Sequence, residues 1–341
     1  LPIDVFISPE QLVNQYVQQF IAHPAASQVF TFADGAVKMV SVRTYYGGSC
    51  IGKTVLEIYE ALHEIQFNIM AIYRGEKTVA MEQDLKISIG DEVLFVCKDG
   101  DAHTIMAAFR RMEEPYQRVM IAGGGSIGSC LAEAIQDDYS VKVVDRNIGR
   151  CKLMAEKLSV MVLHGDACDA DLLRNENIDS IDVFCAVTND DEDNIISCLQ
   201  AKRMGVKQVM SLVNRTAYVD MVRGGPINIA ISPQQATVGS ILCHLRKGDV
   251  LNVYAMRGGD AEVLEVRVHG DKKTSKLVGH TIDHIKLPKG VCIGALVREG
   301  RLILPSEGVE VLAGDHMVIL VSDKRKLPEL GKLLQVSADF F

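Results

Sequence analysis

A long unit occurs twice in this chain of 341 residues, and that repeat restricts its fold more than any other feature does. Ile7-Ser8-Pro9-Glu10-Gln11 returns as Ile231-Ser232-Pro233-Gln234-Gln235, a shift of 224 positions. At the same shift Ile72-Tyr73-Arg74 returns in pattern as Leu296-Val297-Arg298, and Gly90-Asp91-Glu92-Val93 as Gly314-Asp315-His316-Met317. Ile51-Gly52-Lys53-Thr54 matches Val278-Gly279-His280-Thr281 at a shift of 227, an indel of three in a loop. On this register Leu1 aligns with Gly225, so the first copy lacks a counterpart to the segment from Pro115 to Gly224. The arithmetic predicts a lost preceding domain of roughly one hundred residues, a normal domain size.

The segment present once reads as alternating strands and helices. Strands are predicted at Arg118 to Ala122, Val141 to Val144, Met161 to Leu163, Val183 to Val187, Gln208 to Val213 and Ile227 to Ile231. Helical spacing covers Ser126 to Gln136, Ile148 to Leu158 and Glu192 to Met204. Short apolar strands alternating with helices predict an α/β fold with a parallel, doubly wound sheet. An amphipathic helix follows at Gln234 to Arg246, with Gln11 to Ile21 as its counterpart in the first copy. The repeated pieces, Val29 to Met112 and Val253 to Leu334, carry short alternating strands with Gly-Asp turns and a modest helix. They read as small α+β modules of about 80 residues, a size that needs support from a neighbour.

Composition narrows the function. The net charge is −8, so no basic surface advertises nucleic acid or anionic lipid. Trp is absent and aromatic residues are only 6%, which argues against stacking platforms for single strands. No apolar run approaches the roughly 18 to 20 residues needed to span a bilayer, and the best, Phe67 to Tyr73, is strand-sized. Nine scattered Cys include no CxxC pair, which fits buried reduced thiols in a cytosolic protein rather than a zinc ribbon or redox dithiol. His280 and His284 have i, i+4 spacing but lack the Glu of HExxH, so a solvated pair is expected and no metal site.

Gly123-Gly124-Gly125-Ser126-Ile127-Gly128 fits GxGxxG, directly after a predicted strand and opening a predicted helix. In that context Gly123 permits the tight turn, Gly125 lets backbone approach a diphosphate, and Gly128 lets helix and strand pack closely. Asp145 ends the second strand, where a carboxylate can accept both ribose hydroxyls. Asp145 favours NAD over NADP, whereas the adjacent Arg146 could pair with a 2′-phosphate, and ATP or ADP would satisfy the same loop. Gly165-Asp166-Ala167 and Thr188-Asn189-Asp190 follow the third and fourth strands, at the carboxyl edge where open α/β sheets place ligands. A turn with a helix cap also explains Asp166, and the run Asp190 to Asp193 fits an acidic first helical turn. No nucleophile–base arrangement stands out. A nucleotide site without a substrate domain points to sensing; the alternative is an NAD-dependent oxidoreductase, for which His164 is the one histidine at the sheet's carboxyl edge.

These motifs resemble a known family: the cytosolic, TrkA-like regulatory subunits of Trk-type potassium uptake, built from tandem RCK domains (regulators of potassium conductance). The resemblance spans essentially the whole chain and rests on Ile121 to Gly128, Gly165-Asp166-Ala167, Ala186 to Glu192, Ala201 to Gly205, Ala217 to Asp220, Ile231 to Gln235 and Tyr45 to Gly48. It implies residues 1–27 as the last strand and crossover helix of a truncated first RCK N domain, and 28–114 as the first RCK C-terminal domain. Residues 115–249 would be the second, Rossmann-like NAD-binding RCK N domain, and 250–341 the second RCK C-terminal domain. By resemblance the Gly123 to Gly128 loop holds phosphates of NAD, NADH or an adenine nucleotide, and Asp145 holds the ribose. Asp166 and Ala167 would then lie near adenine, and Thr188 and Asn189 near the distal part. The resemblance further implies a homo-oligomer, dimer or tetramer, formed through crossover helices. It also implies docking on the cytoplasmic face of a potassium-translocating membrane subunit, where bound nucleotide biases gating.

Overall fold

A computed structural model describes residues 7–24, 26–75, 77–112, 114–222, 225–245, 249–256 and 261–335. Helix α1 (Pro9–Ala22) comes first. It is followed by β1 (Ala26–Phe32), β2 (Val37–Arg43), α2 (Val55–Ala61), β3 (Phe67–Arg74), β4 (Lys77–Val79), β5 (Glu92–Lys98) and α3 (Ala102–Phe109). Alternation begins with β6 (Arg118–Ala122), α4 (Ser126–Ile135), β7 (Ser140–Asp145), α5 (Ile148–Lys157), β8 (Met161–His164) and α6 (Ala170–Asn175). It continues through β9 (Val183–Ala186), α7 (Asp191–Arg203), β10 (Gln208–Leu212), α8 (Thr216–Val222), β11 (Ile229–Ile231) and α9 (Pro233–Leu245). The chain ends in β12 (Asp249–Met256), β13 (Ala261–Arg267), β14 (Val291–Arg298), β15 (Arg301–Ile303), β16 (His316–Val321) and α10 (Leu327–Leu334). Two compact units result: Leu1–Pro24 with Glu114–Thr237, and Ala25–Glu113 with Val238–Phe341.

The first unit is an α/β doubly wound sheet of six parallel strands in the order β11-β10-β9-β6-β7-β8. Of its middle strands, β9 is apolar throughout and β6 at every position after Arg118, because both faces are covered. Val119 and Ile121 of β6 enter one core, beside Leu131 and Ile135 of α4, while Met120 and Ala122 enter the other, beside Cys198 and Ala201 of α7. Helix α1 also packs on the α4 side, burying Val13, Val17, Phe20 and Ile21. Ser8 caps it by accepting the Gln11 N–H, and Pro9 starts it where no backbone donor is needed. Two helices, α6 and α8, go beyond the sequence expectation; six and seven residues are too few to show a helical period. The expected helix from Gln234 to Arg246 is described as far as Leu245, and Arg246 lies outside the described residues, as do residues 1–6 of the expected N-terminal strand.

The second unit holds both repeated modules, each a five-stranded antiparallel sheet, ordered β1-β2-β5-β3-β4 and β12-β13-β16-β14-β15. The repeat extends to irregularities: the register slips between Ile69 and Ala71, and again between Ile293 and Ala295. Gly52 and Gly279 both adopt φ +80°, and the threonines that follow, Thr54 and Thr281, bridge to Lys86 and Glu310. Arg74 clasps Asp91 through Nε and Nη2, each at 2.8 Å; Arg298 clasps Asp315 at 2.7 and 2.8 Å. The two modules meet across strands β3 and β14, where Asn68 Nδ2 donates to the Gly294 carbonyl at 3.0 Å. Nearby, Tyr254 stacks on Phe30 with ring centroids 4.5 Å apart, and the Ala33 N–H donates to Glu265 at 3.0 Å. This mutual burial supplies the support that modules of this size need.

Cys50, Cys97, Cys151, Cys185 and Cys198 are buried, and burial pushes the Cys97 and Cys185 thiols up to about 12. Cys130 is exposed, Cys168 and Cys292 are half-buried, and the Cys243 side chain lies outside the described residues. His280 and His284 share no helix face: His284 ends a 3₁₀ turn (Ile282–His284) with its Nδ1 against Thr281 and Asp283. Among the described residues no helix is long and apolar enough to cross a membrane.

The twin clasps generate a first prediction. Asp91 and Asp315 are each 1% exposed, so removing the arginine strands a buried carboxylate. Arg298→Ala is expected to cost about 3 kcal/mol. Arg74→Ala is expected to cost less, since the Arg74 side chain is 48% exposed against 33% for Arg298. Urea unfolding of the two variants checks that order.

Candidate functional site

The strand order reverses between β6 and β9, which opens a crevice at the carboxyl edge of the parallel sheet. A cleft of about 480 Å³ occupies that position. Gly123, Gly125, Ser126, Ile127, Asp145, Arg146, Asp166, Ala167, Thr188 and Asn189 line it. Gly124 and Gly128, the remaining sequence candidates, shape the loop from behind instead. A Cβ on Gly124 would strike Met154 Cε at 2.2 Å, and one on Gly128 would lie 1.8 Å from the Gly123 carbonyl oxygen. Gly123 adopts φ +107°, open to glycine at no cost, while a Cβ on Gly125 would meet nothing within 4 Å. The wall at Gly125 is therefore bare backbone. Gly125 also caps α4 without a side-chain hydrogen bond, which leaves the first-turn N–H groups without a capping side chain.

Asp145 is 7% exposed and ties two turns together. Its Oδ2 accepts the Gly124 N–H at 2.6 Å and its Oδ1 the Asn147 N–H at 2.6 Å, with Arg150 Nη1 3.7 Å away. Each oxygen keeps lone pairs for further donors. On the opposite wall Thr188 is fixed by Asn194, which is fully buried: Thr188 Oγ1 donates to Asn194 Oδ1 at 2.7 Å, and Asn194 Nδ2 donates to the Thr188 carbonyl at 3.0 Å. Asn194 also donates to the Leu212 carbonyl and so joins the ends of β9 and β10.

The acidic run divides its labour. Asp190 caps α7 by accepting the Asp193 N–H. Asp191, 4% exposed, accepts the Asn214 and Arg215 N–H groups at 2.8 and 2.9 Å. Glu192 pairs with Arg215. Asp193 and Asp166 both reach Arg146, at 2.7 Å each. Burial raises the Asp166 carboxyl, but the Arg146 bond and the Cys168 N–H outweigh it and hold it below the ordinary range. The same acceptance from two carboxylates, Asp166 first, raises Arg146.

Sequence reasoning gave no site role to Glu10, Val144, Arg150, Cys168, Val187 or Ser197 of the cleft, and read Asp193 as part of an acidic first helical turn. Glu10 comes from the start of α1, and its sequence signal, Ser-Pro-Glu, announces only a helix start. Asp193 carried a helix-cap reading that its charge alone could not overturn. His164 lies outside the lining, with Nε2 3.1 Å from the Arg146 carbonyl.

The fold is of the type seen in RCK domains. The crystal structure of the GsuK RCK domain superposes with a TM-score of 0.51 at 16% identity, covering 97% of this chain and 70% of that one, a likeness of fold. Residues 119–233 match the TrkA-N domain family and residues 271–334 the TrkA-C domain family. The Trk system potassium uptake protein TrkA of Halomonas elongata is 45% identical over the whole chain, which spans 75% of that relative. Its namesake from Vibrio alginolyticus is 42% identical, with 74% of its length spanned. The chain belongs to the TrkA family of Trk system potassium uptake proteins. Its relatives are named for potassium uptake and not for a reaction.

Two predictions follow from the packing. Gly128→Ala forces a methyl group into the Gly123 carbonyl and is expected to cost roughly 1–3 kcal/mol in thermal unfolding. For Asp191, burial raises the carboxyl, but the Asn214 and Arg215 N–H groups outweigh it and lower its pKa in the folded chain. A carboxylate so depressed stabilises the fold fully above its unfolded value near ~4 and loses that contribution as pH falls through the folded value. Wild-type stability should therefore drop more steeply on acidification than that of Asp191→Asn; parallel curves would contradict this.

Proposed function

We propose that the chain is a nucleotide-sensing regulatory subunit of a potassium uptake system, with the ligand seated in the cleft between β6 and β9. The observation that carries this reading is the bare backbone wall at Gly125, beside Asp145 in a switch-point crevice. Diphosphate would lie on the Gly123 to Gly128 loop and the N-terminus of α4, with ribose on Asp145. The base would lie by Asp166 and Ala167, and the distal part by Thr188 and Asn189. NAD or NADH fits this layout, and ATP or ADP fits its adenosine and phosphate portion. Bound nucleotide would bias gating of a potassium-translocating Trk-type membrane subunit, with this chain peripheral on its cytoplasmic face. Such control requires the ligand to bind two states of the assembly with different affinity.

The proposed domain division follows the repeat: 1–27, 28–114, 115–249 and 250–341, with α1 and α9 as equivalent crossover helices that join copies into a homo-oligomer. Family membership supports the potassium role, since the relatives carry that name. The oxidoreductase reading is the weaker one, because an acid or base at a nicotinamide is usually His, Lys or a tuned carboxylate. Among the described residues the cleft lining contains no His and no Lys, and the shifted carboxyl of Asp166 is lowered, away from the range a general base needs.

NADH fluorescence titration tests the proposal, with ATP and ADP as competitors; the absence of Trp keeps protein emission low. Saturable binding is expected in the wild type, weakened roughly tenfold or more in Asp145→Ala, while circular dichroism of the variant stays native. Unchanged affinity in a folded Asp145→Ala chain would remove the ribose assignment.

A further inference from the structure

The sequence left Arg146 in two roles, a neighbour of the ribose carboxylate or a partner for a 2′-phosphate. The geometry separates them. Arg146 directly follows Asp145, so its side chain starts beside the ribose position, yet the guanidinium is turned away to two carboxylates. Its Nη2 meets Asp166 Oδ2 and its Nη1 meets Asp193 Oδ2, both at 2.7 Å. Asp166 is itself anchored by the Cys168 N–H at 2.8 Å, and Asp193 sits in the first turn of α7, fixed by its own N–H to Asp190. Both acceptors are thus held in place by backbone, not left to swing. Among the described residues the lining carries five carboxylates (Glu10, Asp145, Asp166, Asp190 and Asp193) against two guanidiniums (Arg146 and Arg150). Arg150 lies near Asp145. A phosphate on the ribose 2′-oxygen would bring two more negative charges into this excess and would find its nearest cation already doubly paired.

Resting on the nucleotide-sensing reading, we infer that Asp193 is a specificity-determining positioning residue. By holding Arg146 off the ribose, it makes the site select nucleotides with a free 2′-hydroxyl over 2′-phosphorylated ones. It acts through Arg146 and need not touch the ligand.

The test compares dissociation constants for NADH and NADPH in four chains: wild type, Asp193→Asn, Arg146→Gln and the double variant. The wild type is expected to prefer NADH. Asp193→Asn releases Nη1 for a charge-assisted bond to the 2′-phosphate, shifting the NADPH-to-NADH affinity ratio toward NADPH by roughly tenfold. That gain should vanish in the double variant and shrink as KCl is raised, because its origin is the freed guanidinium. A merely structural role for Asp193 would weaken both ligands alike and leave the ratio where it was. Three outcomes overturn the inference: a wild type that binds NADPH as tightly as NADH, a ratio unmoved by Asp193→Asn, or a gain that survives loss of Arg146. If the folded wild type binds neither dinucleotide nor ATP, the nucleotide-site reading itself fails and this inference falls with it.

Discussion

Where β6 hands over to α4, the Gly123 carbonyl oxygen lies within 1.8 Å of the place any Gly128 side chain would start. Helix and strand can approach this closely only with hydrogen at that position, and the approach decides much of what surrounds it. It forces Gly123 into a positive φ, which turns the chain sharply enough for the Gly124 N–H to reach back to Asp145. Asp145 then fixes the following turn through Asn147, and Arg146 leaves that turn toward the loop after β8 and the first turn of α7. One packing constraint thus sets the floor, one wall and the charged rim of the cleft.

The antiparallel modules show what duplication keeps and what it lets change. The Arg–Asp clasp survives in both copies because each aspartate is buried and also accepts a backbone N–H, from Ser88 in one and Leu312 in the other. Altering either partner alone would leave a charge in a place without water. A different buried pair has been exchanged as a unit. Ser41 bonds Glu92 in the first copy, whereas Glu265 bonds His316 at the equivalent positions of the second. The carboxylate has moved to the opposite strand. There it gains the Ala33 N–H and Asn252 Nδ2 as further donors, so the second copy's carboxylate helps to fasten the two modules together. Exchange in pairs is what desolvation demands.

Much of the parallel sheet was legible because its signals are local. Apolar runs of four residues, such as Val183–Ala186 and 119–122, sit between helical periods, and the glycine spacing after β6 reports a turn that few other residues could make. The repeat register was equally legible, since the residues it paired include both clasps. The second layer of the site was not. Asn194 reads in sequence as one more polar residue of α7, yet it is fully buried and holds Thr188 to the end of β10. Glu10 reaches the cleft only because α1 packs against α4, a contact between segments more than one hundred residues apart. Asp166 and Asp193 read as a turn and a helix start, and nothing local says that one guanidinium holds both. Partners distant in sequence leave no periodicity, and these residues found theirs only through the fold.

The charge of the cleft bears on what kind of binder it can be. Its guanidiniums are engaged with carboxylates, and among the described residues no lysine lines it, so in the proposed nucleotide site phosphate recognition would fall to backbone N–H groups and the N-terminus of α4. Such donors are fixed by the fold and cannot follow a reacting phosphate, which suits recognition better than transfer. They also act without a large favourable Coulomb contribution, because the surrounding carboxylates oppose the ligand's own charge. Affinity then depends on how well the loop and the Asp145 turn are already shaped, and a small change in that shape becomes a change in occupancy. A site that held the proposed nucleotide through loop geometry rather than net charge would be well placed to couple its occupancy to a change of conformation.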